Sequence, residues 1–175
     1  MDRGSAKAID VPVALLGYGT VGSAVHRLLE ESAGDIARAT GHRLRVVRVL
    51  VRDLGQERAH APEPGILTDD FETIASDPDI ALAAELMGGL EPTASYVLEL
   101  LRRGIPVVTA NKQLVARSGP ELFATAAEGG VQLRFEASVC AAIPVIKLLR
   151  ESLGATNVQR VLGIVAEAEI VDAAD

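Results

Sequence analysis

Short aliphatic runs alternate along the chain with longer segments in which apolar positions recur every three or four residues. Uninterrupted apolar runs are typical of strands buried on both faces, and the longer period is typical of helices. The predicted strands are residues 11–16, 44–51, 80–87, 105–109, 131–136 and 158–165. The predicted helices are residues 20–31, 70–75, 92–103 and 143–153, with another after residue 109 that breaks near Gly119 and Pro120 and resumes to Glu128. This alternation predicts an α/β fold with a doubly wound, Rossmann-type, mostly parallel six-stranded sheet.

Two details of this pattern concern the first half of the chain. Helix 20–31 carries Val21, Val25, Leu28 and Leu29, which we expect on one buried face. Residues 58–68 contain two prolines and a glycine, which predicts a loop.

Composition limits the classes of protein that fit this pattern. The chain has 175 residues, enough for one domain, and its 3% aromatic content predicts an aliphatic core. A net charge of −7 without a basic patch argues against general nucleic-acid binding, although backbone amides can still hold a phosphate. The single cysteine, Cys140, excludes an internal disulfide and a cysteine-based zinc site. The polar start and the lack of a long apolar run predict a cytoplasmic protein without a membrane partner.

The histidines offer no motif. His26, His42 and His60 are scattered without the spacing of metal ligands, and the sequence assigns them no role.

A glycine-rich motif lies between the first predicted strand and the first helix. Gly17, Gly19 and Gly22 form G-x-G-x-x-G in the strand–turn–helix context that dinucleotide binding requires. Gly17 permits the turn, Gly19 lets the backbone approach a pyrophosphate, and Gly22 lets the helix pack close to the sheet. A glycine-rich turn without a ligand is the alternative.

Arg52 and Asp53 follow the second predicted strand, where a ribose-reading residue belongs. Asp53 would bond the ribose 2′-hydroxyl of NAD, and Arg52 would pair with the 2′-phosphate of NADP. Only one of two successive strand-end side chains faces the ribose, and we favour Arg52 and NADP. A solvated pair on a loop is the alternative.

Polar residues and glycines also follow the third and fourth predicted strands. Gly88 and Gly89 permit close approach to a ligand, or they form a plain turn. Asn111 and Lys112 follow the fourth strand, where a nicotinamide and its substrate would meet. A cation there can stabilise charge on a carbonyl oxygen or relay a proton, whereas the alternative is a surface lysine that starts a helix.

Glu136 ends the fifth predicted strand. Its carboxylate and nearby carbonyls suit a hard cation, but Glu136 and Ser138 equally suit a helix-capping role before Pro144. From these residues alone, capping is favoured.

Several segments together resemble the N-terminal part of homoserine dehydrogenase. They are VALLGYGTVGSAV, VLVRD, ELMGG, VVTANKQLVA, FEASVCAAIPVIKLLRESL and VLGIV, which follow in that order over nearly the whole chain. The resemblance implies a Rossmann fold, NADP or NAD as cofactor, and reversible reduction of aspartate 4-semialdehyde to homoserine in threonine and methionine biosynthesis.

The resemblance also implies site residues. The expected cofactor contacts are Gly17, Gly19, Thr20, Val21, Gly22, Arg52, Gly88, Thr109, Asn111 and Lys112. Lys112 is the expected catalytic residue. Glu136 matches a sodium ligand of the family. Val139, Ala141 and Ile143 match positions that donate backbone carbonyls to that ion. With this resemblance, metal binding by Glu136 is favoured over helix capping.

The sequence departs from the family in two places. Ala141 and Ala142 stand where the family usually has two glycines, which preserves carbonyl donation only if φ is negative. After residue 165 the chain runs into AEAEIVDAAD, where the family continues into a substrate domain. We therefore expect an NAD(P)-binding domain over residues 1–165 and an acidic tail over residues 166–175.

These features predict an oxidoreductase cofactor domain that acts on a small-molecule substrate. A non-catalytic NAD(P)-binding or sensing module is the alternative, and a Rossmann methyltransferase is disfavoured by TANK and FEASV. Because a missing domain uncovers apolar surface, we expect a homo-oligomer or a partner chain.

Overall fold

The computed structural model describes residues 8–58, 60–140 and 143–160. The strands are β1 (Ile9–Leu16), β2 (His42–Leu50), β3 (Leu67–Thr68), β4 (Leu82–Glu85), β5 (Val107–Thr109) and β6 (Leu133–Arg134). The α-helices are α1 (Thr20–Glu31), α2 (Ala33–Thr40), α3 (Glu72–Ala75), α4 (Thr93–Arg102), α5 (Lys112–Glu128) and α6 (Val145–Lys147). A 3₁₀ turn covers Glu136–Ser138, and a π-helical turn covers Leu148–Ser152.

The six strands form one sheet in the order β3-β2-β1-β4-β5-β6, and all neighbouring pairs are parallel. The chain builds one half of the sheet outward from β1 and then returns to build the other half from β4. The expected α/β doubly wound, parallel six-stranded architecture is confirmed.

Strand β1 runs through the centre of the molecule. Ala14 and Leu16 belong to one hydrophobic cluster, and Val13 and Leu15 belong to the other. Since successive side chains of a strand point to opposite faces, β1 is buried on both sides. This burial explains why its sequence lacks polar alternation.

Helix α1 has the predicted bounds but not the predicted face. Val25 and Leu29 pack against the core, whereas Val21 is 54% exposed and Leu28 is 58% exposed. The buried side instead contains Gly22 and His26. A Cβ at position 22 would overlap the carbonyl oxygen of Gly17, so glycine sets the face that approaches the sheet.

The break that was predicted near Pro120, in the helix after residue 109, is wrong. Helix α5 continues through Pro120 without interruption. Leu114 and Leu122 are both fully buried, one on each side of the proline. Residues eight apart lie on the same face of a helix, so packing holds both halves against the core.

Three further elements differ from the predictions. Helix α2 was not predicted, and the predicted loop 58–68 ends in β3, which pairs with Val49 and Leu50 of β2. The predicted helix 143–153 consists of the short α6 followed by the π-helical turn.

In the predicted sixth strand, residues 158–160 have no regular structure and residues 161–165 lie outside the described residues. The predicted tail 166–175 also lies outside them. Among the helices in the described ranges, none is long and apolar enough to cross a membrane.

Candidate functional site

The carboxyl ends of three strands are aligned at the centre of the sheet. Leu16 of β1 pairs with Glu85 of β4, and Glu85 pairs with Thr109 of β5. The segments that follow these residues therefore emerge at the same edge. The gap between β1 and β4 is also where the strand order reverses, which is where ligands bind in open α/β sheets.

The glycine loop occupies the β1 side of this edge, and its three glycines have different surroundings. Gly17 has φ +101°, and a Cβ there would lie 3.0 Å from the backbone of Leu86 and Met87. A Cβ at Gly19 would meet nothing within 4 Å, so the space beside it is open. Gly22 lies against the Gly17 carbonyl, as described above. These contacts match the turn, ligand-approach and helix-packing roles that the sequence predicts.

The N-terminus of α1 faces the same open space. Gly19 is its N-cap, no side chain caps it within the described chain, and its first turn has no acidic residue. The first amides of a helix have no intrahelical acceptor, and together they carry a partial positive charge. Thr20 and Val21 are exposed there, so this terminus is suited to an anion.

A buried polar network holds the β4 and β5 sides together. Glu85 is fully buried, and its Oε1 accepts hydrogen bonds from the amides of Met87 at 2.9 Å and Gly88 at 3.1 Å. The Thr109 hydroxyl donates to Glu85 Oε2 at 2.5 Å and accepts from the Asn111 amide at 3.0 Å. Glu85 therefore connects two strand ends, a role that the sequence analysis missed. An acidic residue at the end of an otherwise apolar strand was the available signal.

Asn111 extends this network to the glycine turn, which is formed by Gly88 and Gly89 after β4. Its Nδ2 donates to the Gly89 carbonyl at 2.6 Å, and its Oδ1 accepts from the Leu114 amide at 3.0 Å, which caps α5. Thr93 donates to the Gly88 carbonyl at 2.9 Å. Gly88 and Gly89 both have φ +72°, a conformation that favours glycine. The side chains of Thr109 and Asn111 therefore fix the shape of this edge, and their cofactor contacts stay a prediction.

Lys112 is exposed and is the first residue of α5, directly after the Asn111 cap. The bond between Asn111 and Gly89 brings the start of α5 next to the glycine turn. The ammonium group is thus carried at the predicted edge of the sheet.

Arg52 and Asp53 follow β2 and are both exposed. Asp53 Oδ1 accepts from the Gly55 amide at 2.8 Å, so this carboxylate stabilises its own turn. The Gly17 amide donates to the Leu50 carbonyl at 3.0 Å, which joins the glycine loop to the end of β2. These contacts favour Arg52 over Asp53 as the residue that meets a ligand.

Glu136 caps α6. Its Oε2 accepts from the Ile146 amide at 3.2 Å, and its Oε1 accepts from the Lys147 amide at 2.5 Å. Ser138 does not cap a helix, because its hydroxyl donates to the Phe135 carbonyl at 2.6 Å.

The predicted carbonyl donors of the sodium site are only partly described. Val139 and Ile143 are exposed, and Ala141 lies outside the described residues. The donor set that is described fits a helix cap rather than an ion cage, so capping is favoured, and the sodium site that the family resemblance implies is untested by this structure.

The family described as homoserine dehydrogenase, NAD binding domain, matches residues 17–136. This chain belongs to the homoserine dehydrogenase family. The matched range begins at the glycine loop that follows β1 and ends at Glu136, so it contains that loop and the carboxyl ends of β4 and β5.

Relatives in the homoserine dehydrogenase family are similar over most of this chain. A homoserine dehydrogenase from Synechocystis is 42% identical over 154 residues, which cover 88% of this chain and 35% of the relative. Those of Mycobacterium tuberculosis and Bacillus subtilis are 44% and 37% identical over 155 residues. The chain thus spans about a third of the length of these relatives, 35% in the case of Synechocystis.

Solved structures of the family have the same fold. A homoserine dehydrogenase from Thiobacillus denitrificans has a TM-score of 0.77 and 43% identity, covering 86% of this chain and 35% of that one. A hyperthermophilic archaeal homoserine dehydrogenase in complex with NADPH has a TM-score of 0.68 at 22% identity, covering 83% of this chain and 50% of that one.

Two titratable groups with altered pKa values lie beside the family's glycine loop. Burial lowers the pKa of His26 below its usual 6.5, and burial raises the pKa of Tyr18 above its usual 10.0. The Tyr18 hydroxyl and His26 Nδ1 are 2.7 Å apart and share a hydrogen bond.

Proposed function

We propose that this chain binds NADPH in the crevice between β1 and β4, and that it is the cofactor domain of an oxidoreductase acting on L-homoserine. The observation that carries the proposal is the alignment of Leu16, Glu85 and Thr109 at one edge of the sheet. Family membership supports the reaction, the reversible oxidation of homoserine to aspartate 4-semialdehyde.

The pyrophosphate would be held by the backbone at the start of α1. Gly19 leaves the necessary space, and the amides that follow it supply donors without a competing acidic side chain. Hydrogen bonds to a charged acceptor each contribute about 1.5–3 kcal/mol, so the loop alone provides much of the affinity.

Arg52 would select NADPH over NADH. Its guanidinium is exposed after β2, and the neighbouring carboxylate of Asp53 is engaged in its own turn. A guanidinium binds a phosphate through charge-assisted, often bidentate hydrogen bonds. The 2′-phosphate of NADPH would supply that partner.

Lys112 would act on the reacting carbonyl. The nicotinamide, when bound, exchanges a hydride with the carbon that carries the oxygen, and the oxygen gains or loses a proton. An ammonium beside that oxygen stabilises the negative charge that develops during aldehyde reduction and holds the proton near it. Glu85, Thr109 and Asn111 would position α5, and with it Lys112, through the buried network.

We also propose a cellular location for the chain and its association with other chains. A cytoplasmic location suits a biosynthetic family and an exposed free thiol at Cys140. Self-association or a partner chain is supported by large apolar side chains that are exposed late in the described chain, namely Val139, Ile143, Leu148 and Val158. Light scattering of the purified chain, which measures its mass in solution, tests this expectation.

Gly19→Val tests the cofactor site. Because Gly19 has φ −79° and open space around it, valine should fit the fold but occupy the place of the pyrophosphate. Losing two charge-assisted bonds predicts at least roughly a 100-fold loss of NADPH affinity. Titration calorimetry measures the affinity, and thermal unfolding checks the fold.

The matched control is Ala24→Val, which adds apolar volume at an exposed position of the same helix. It should keep wild-type affinity. NADPH binding that survives in a folded Gly19→Val protein would show that the cofactor does not bind at this loop.

A further inference from the structure

A cluster of three potential metal ligands lies on α1 and on the loop between β2 and β3, next to Tyr18 of the glycine loop. His26 and Glu30 are four residues apart on α1 and therefore share a face, and His60 approaches them from the loop between β2 and β3. One ligand atom from each of the three residues lies within 4.8 Å of the others. The fold brings together two histidines that the sequence leaves far apart.

The distances within the cluster suit a small transition ion. His26 Nε2 lies 3.5 Å from Glu30 Oε1, and His60 Nε2 lies 2.9 Å from Glu30 Oε2. Tetrahedral Zn²⁺, with bonds of about 2.0–2.2 Å, holds its nitrogen and oxygen ligands roughly 3.3–3.5 Å apart. The 3.5 Å distance matches this spacing, whereas the 2.9 Å distance is shorter, so an ion would require His60 and Glu30 to move slightly apart.

His60 lacks an adequate partner in the described chain. Its Nε2 is buried, and although it is close to the Glu30 carboxylate, the two groups are not aligned for a hydrogen bond. A buried nitrogen without a hydrogen bond is costly. A metal ion between His60 and Glu30 would satisfy both groups.

His26 has a hydrogen-bond partner on the ring nitrogen that would not bind the metal, as metal-binding histidines usually do. The ring is buried, and its Nδ1 shares the 2.7 Å hydrogen bond with Tyr18. A partner on one ring nitrogen orients the ring and leaves the other nitrogen for a metal. His26 and Glu30 also line a cleft of about 140 Å³ together with Glu63, which gives water access to these two members of the cluster.

We propose that His26, Glu30 and His60 form a binding site for a divalent transition ion of the zinc class. Two imidazoles and a carboxylate are a common zinc donor set, and three protein ligands leave one position for water. The ion would connect α1 to the loop that follows β2, which also carries Arg52. The site does not depend on the proposed enzymatic function.

The experiment measures Zn²⁺ binding to the 175-residue chain without a histidine tag and without cofactor. All proteins carry Cys140→Ser, because this exposed thiol is a competing ligand. Competition with a chromogenic chelator gives the affinity and stoichiometry. Co²⁺ gives an independent signal, since its visible absorption reports the geometry of the ligands.

The test variants are His60→Ala and Glu30→Gln, which alter a loop residue and an exposed helix position and so preserve the fold. The expected result is one ion per chain and a loss of affinity in each variant. Loss of a supporting contact typically costs roughly 10–100-fold in metal affinity, so loss of a direct ligand in either variant should cost roughly 100-fold or more. Tyr18→Phe should weaken binding by less than either variant.

The matched controls are His42→Ala and Glu31→Gln. His42 is an exposed histidine at the start of β2, and Glu31 is the exposed neighbour of Glu30. Both should bind as the parent does. The proposal is overturned if the parent binds no stoichiometric Zn²⁺ or Co²⁺, or if His60→Ala and Glu30→Gln bind as tightly as the controls.

Hydrogen exchange provides a second measurement. Added Zn²⁺ should slow amide exchange in residues 51–66 of the parent and leave it unchanged in His60→Ala. Equal protection in both proteins would show that the ion does not connect this loop to α1.

Discussion

The Thr109→Val variant removes the centre of the buried network while keeping the shape of the side chain. Thr109 is fully buried, and its hydroxyl both donates to Glu85 and accepts from the Asn111 amide. A hydrogen bond to a charged group contributes about 1.5–3 kcal/mol, and an orphaned buried amide costs about 1–3 kcal/mol. Burial of the added methyl returns about 0.8 kcal/mol, so the free energy of unfolding should fall by about 2–5 kcal/mol.

Urea unfolding followed by circular dichroism measures this change, with Thr125→Val as the matched control. Thr125 is also buried but lies on α5, away from the network, so its substitution should stay within about 1 kcal/mol. The cycle that combines Thr109→Val with Glu85→Gln should show a coupling energy between about 0.5 and 3 kcal/mol. Equal stabilities of wild type and Thr109→Val, or strict additivity in the cycle, would refute the role assigned to these hydrogen bonds.

Three further predictions concern the cofactor, the reaction and the sodium ion. Arg52→Ala should weaken NADPH binding by roughly 10–100-fold, the value of one charge-assisted contact, and leave NADH unchanged in titration calorimetry; equal losses would remove Arg52 from the 2′-phosphate. The 175-residue chain spans about 35% of the length of its Synechocystis relative, so we expect it to bind NADPH but to position homoserine poorly and show little homoserine-dependent NADP reduction. Substrate positioning supplies up to roughly 7–11 kcal/mol of barrier lowering. Robust turnover that Lys112→Ala abolishes and Lys147→Ala does not would contradict that expectation and establish the lysine. Because both carboxylate oxygens of Glu136 accept amides, Na⁺ should raise the unfolding temperature no more than a matched large organic cation does, and a sodium-specific rise lost in Glu136→Gln would restore the ion site.

The glycine loop and its flanking elements were predictable from the sequence because their causes are local. The apolar run of β1, the helical period of α1 and the requirement for glycine at Gly17 and Gly22 all act within a few residues of one another. The family segments lie in the same strand-end positions, so the candidate edge was also predictable. The sequence therefore determines those features whose causes lie within one short stretch of chain.

Only the tertiary structure decided the features that depend on distant residues. Strand β3 exists because β2 offers it a partner, and α5 continues through Pro120 because the core holds it on both sides. The capping of α6 by Glu136 joins segments that local pattern treats separately.

The buried network and the histidine cluster have the same physical origin. Glu85 meets Thr109 because adjacent parallel strands end in register, and His26 meets His60 because a loop folds back over α1. The number of residues between the two partners does not predict either contact, because the intervening chain does not set the distance between Glu85 and Thr109 or that between His26 and His60. The packing of the sheet and helices sets both.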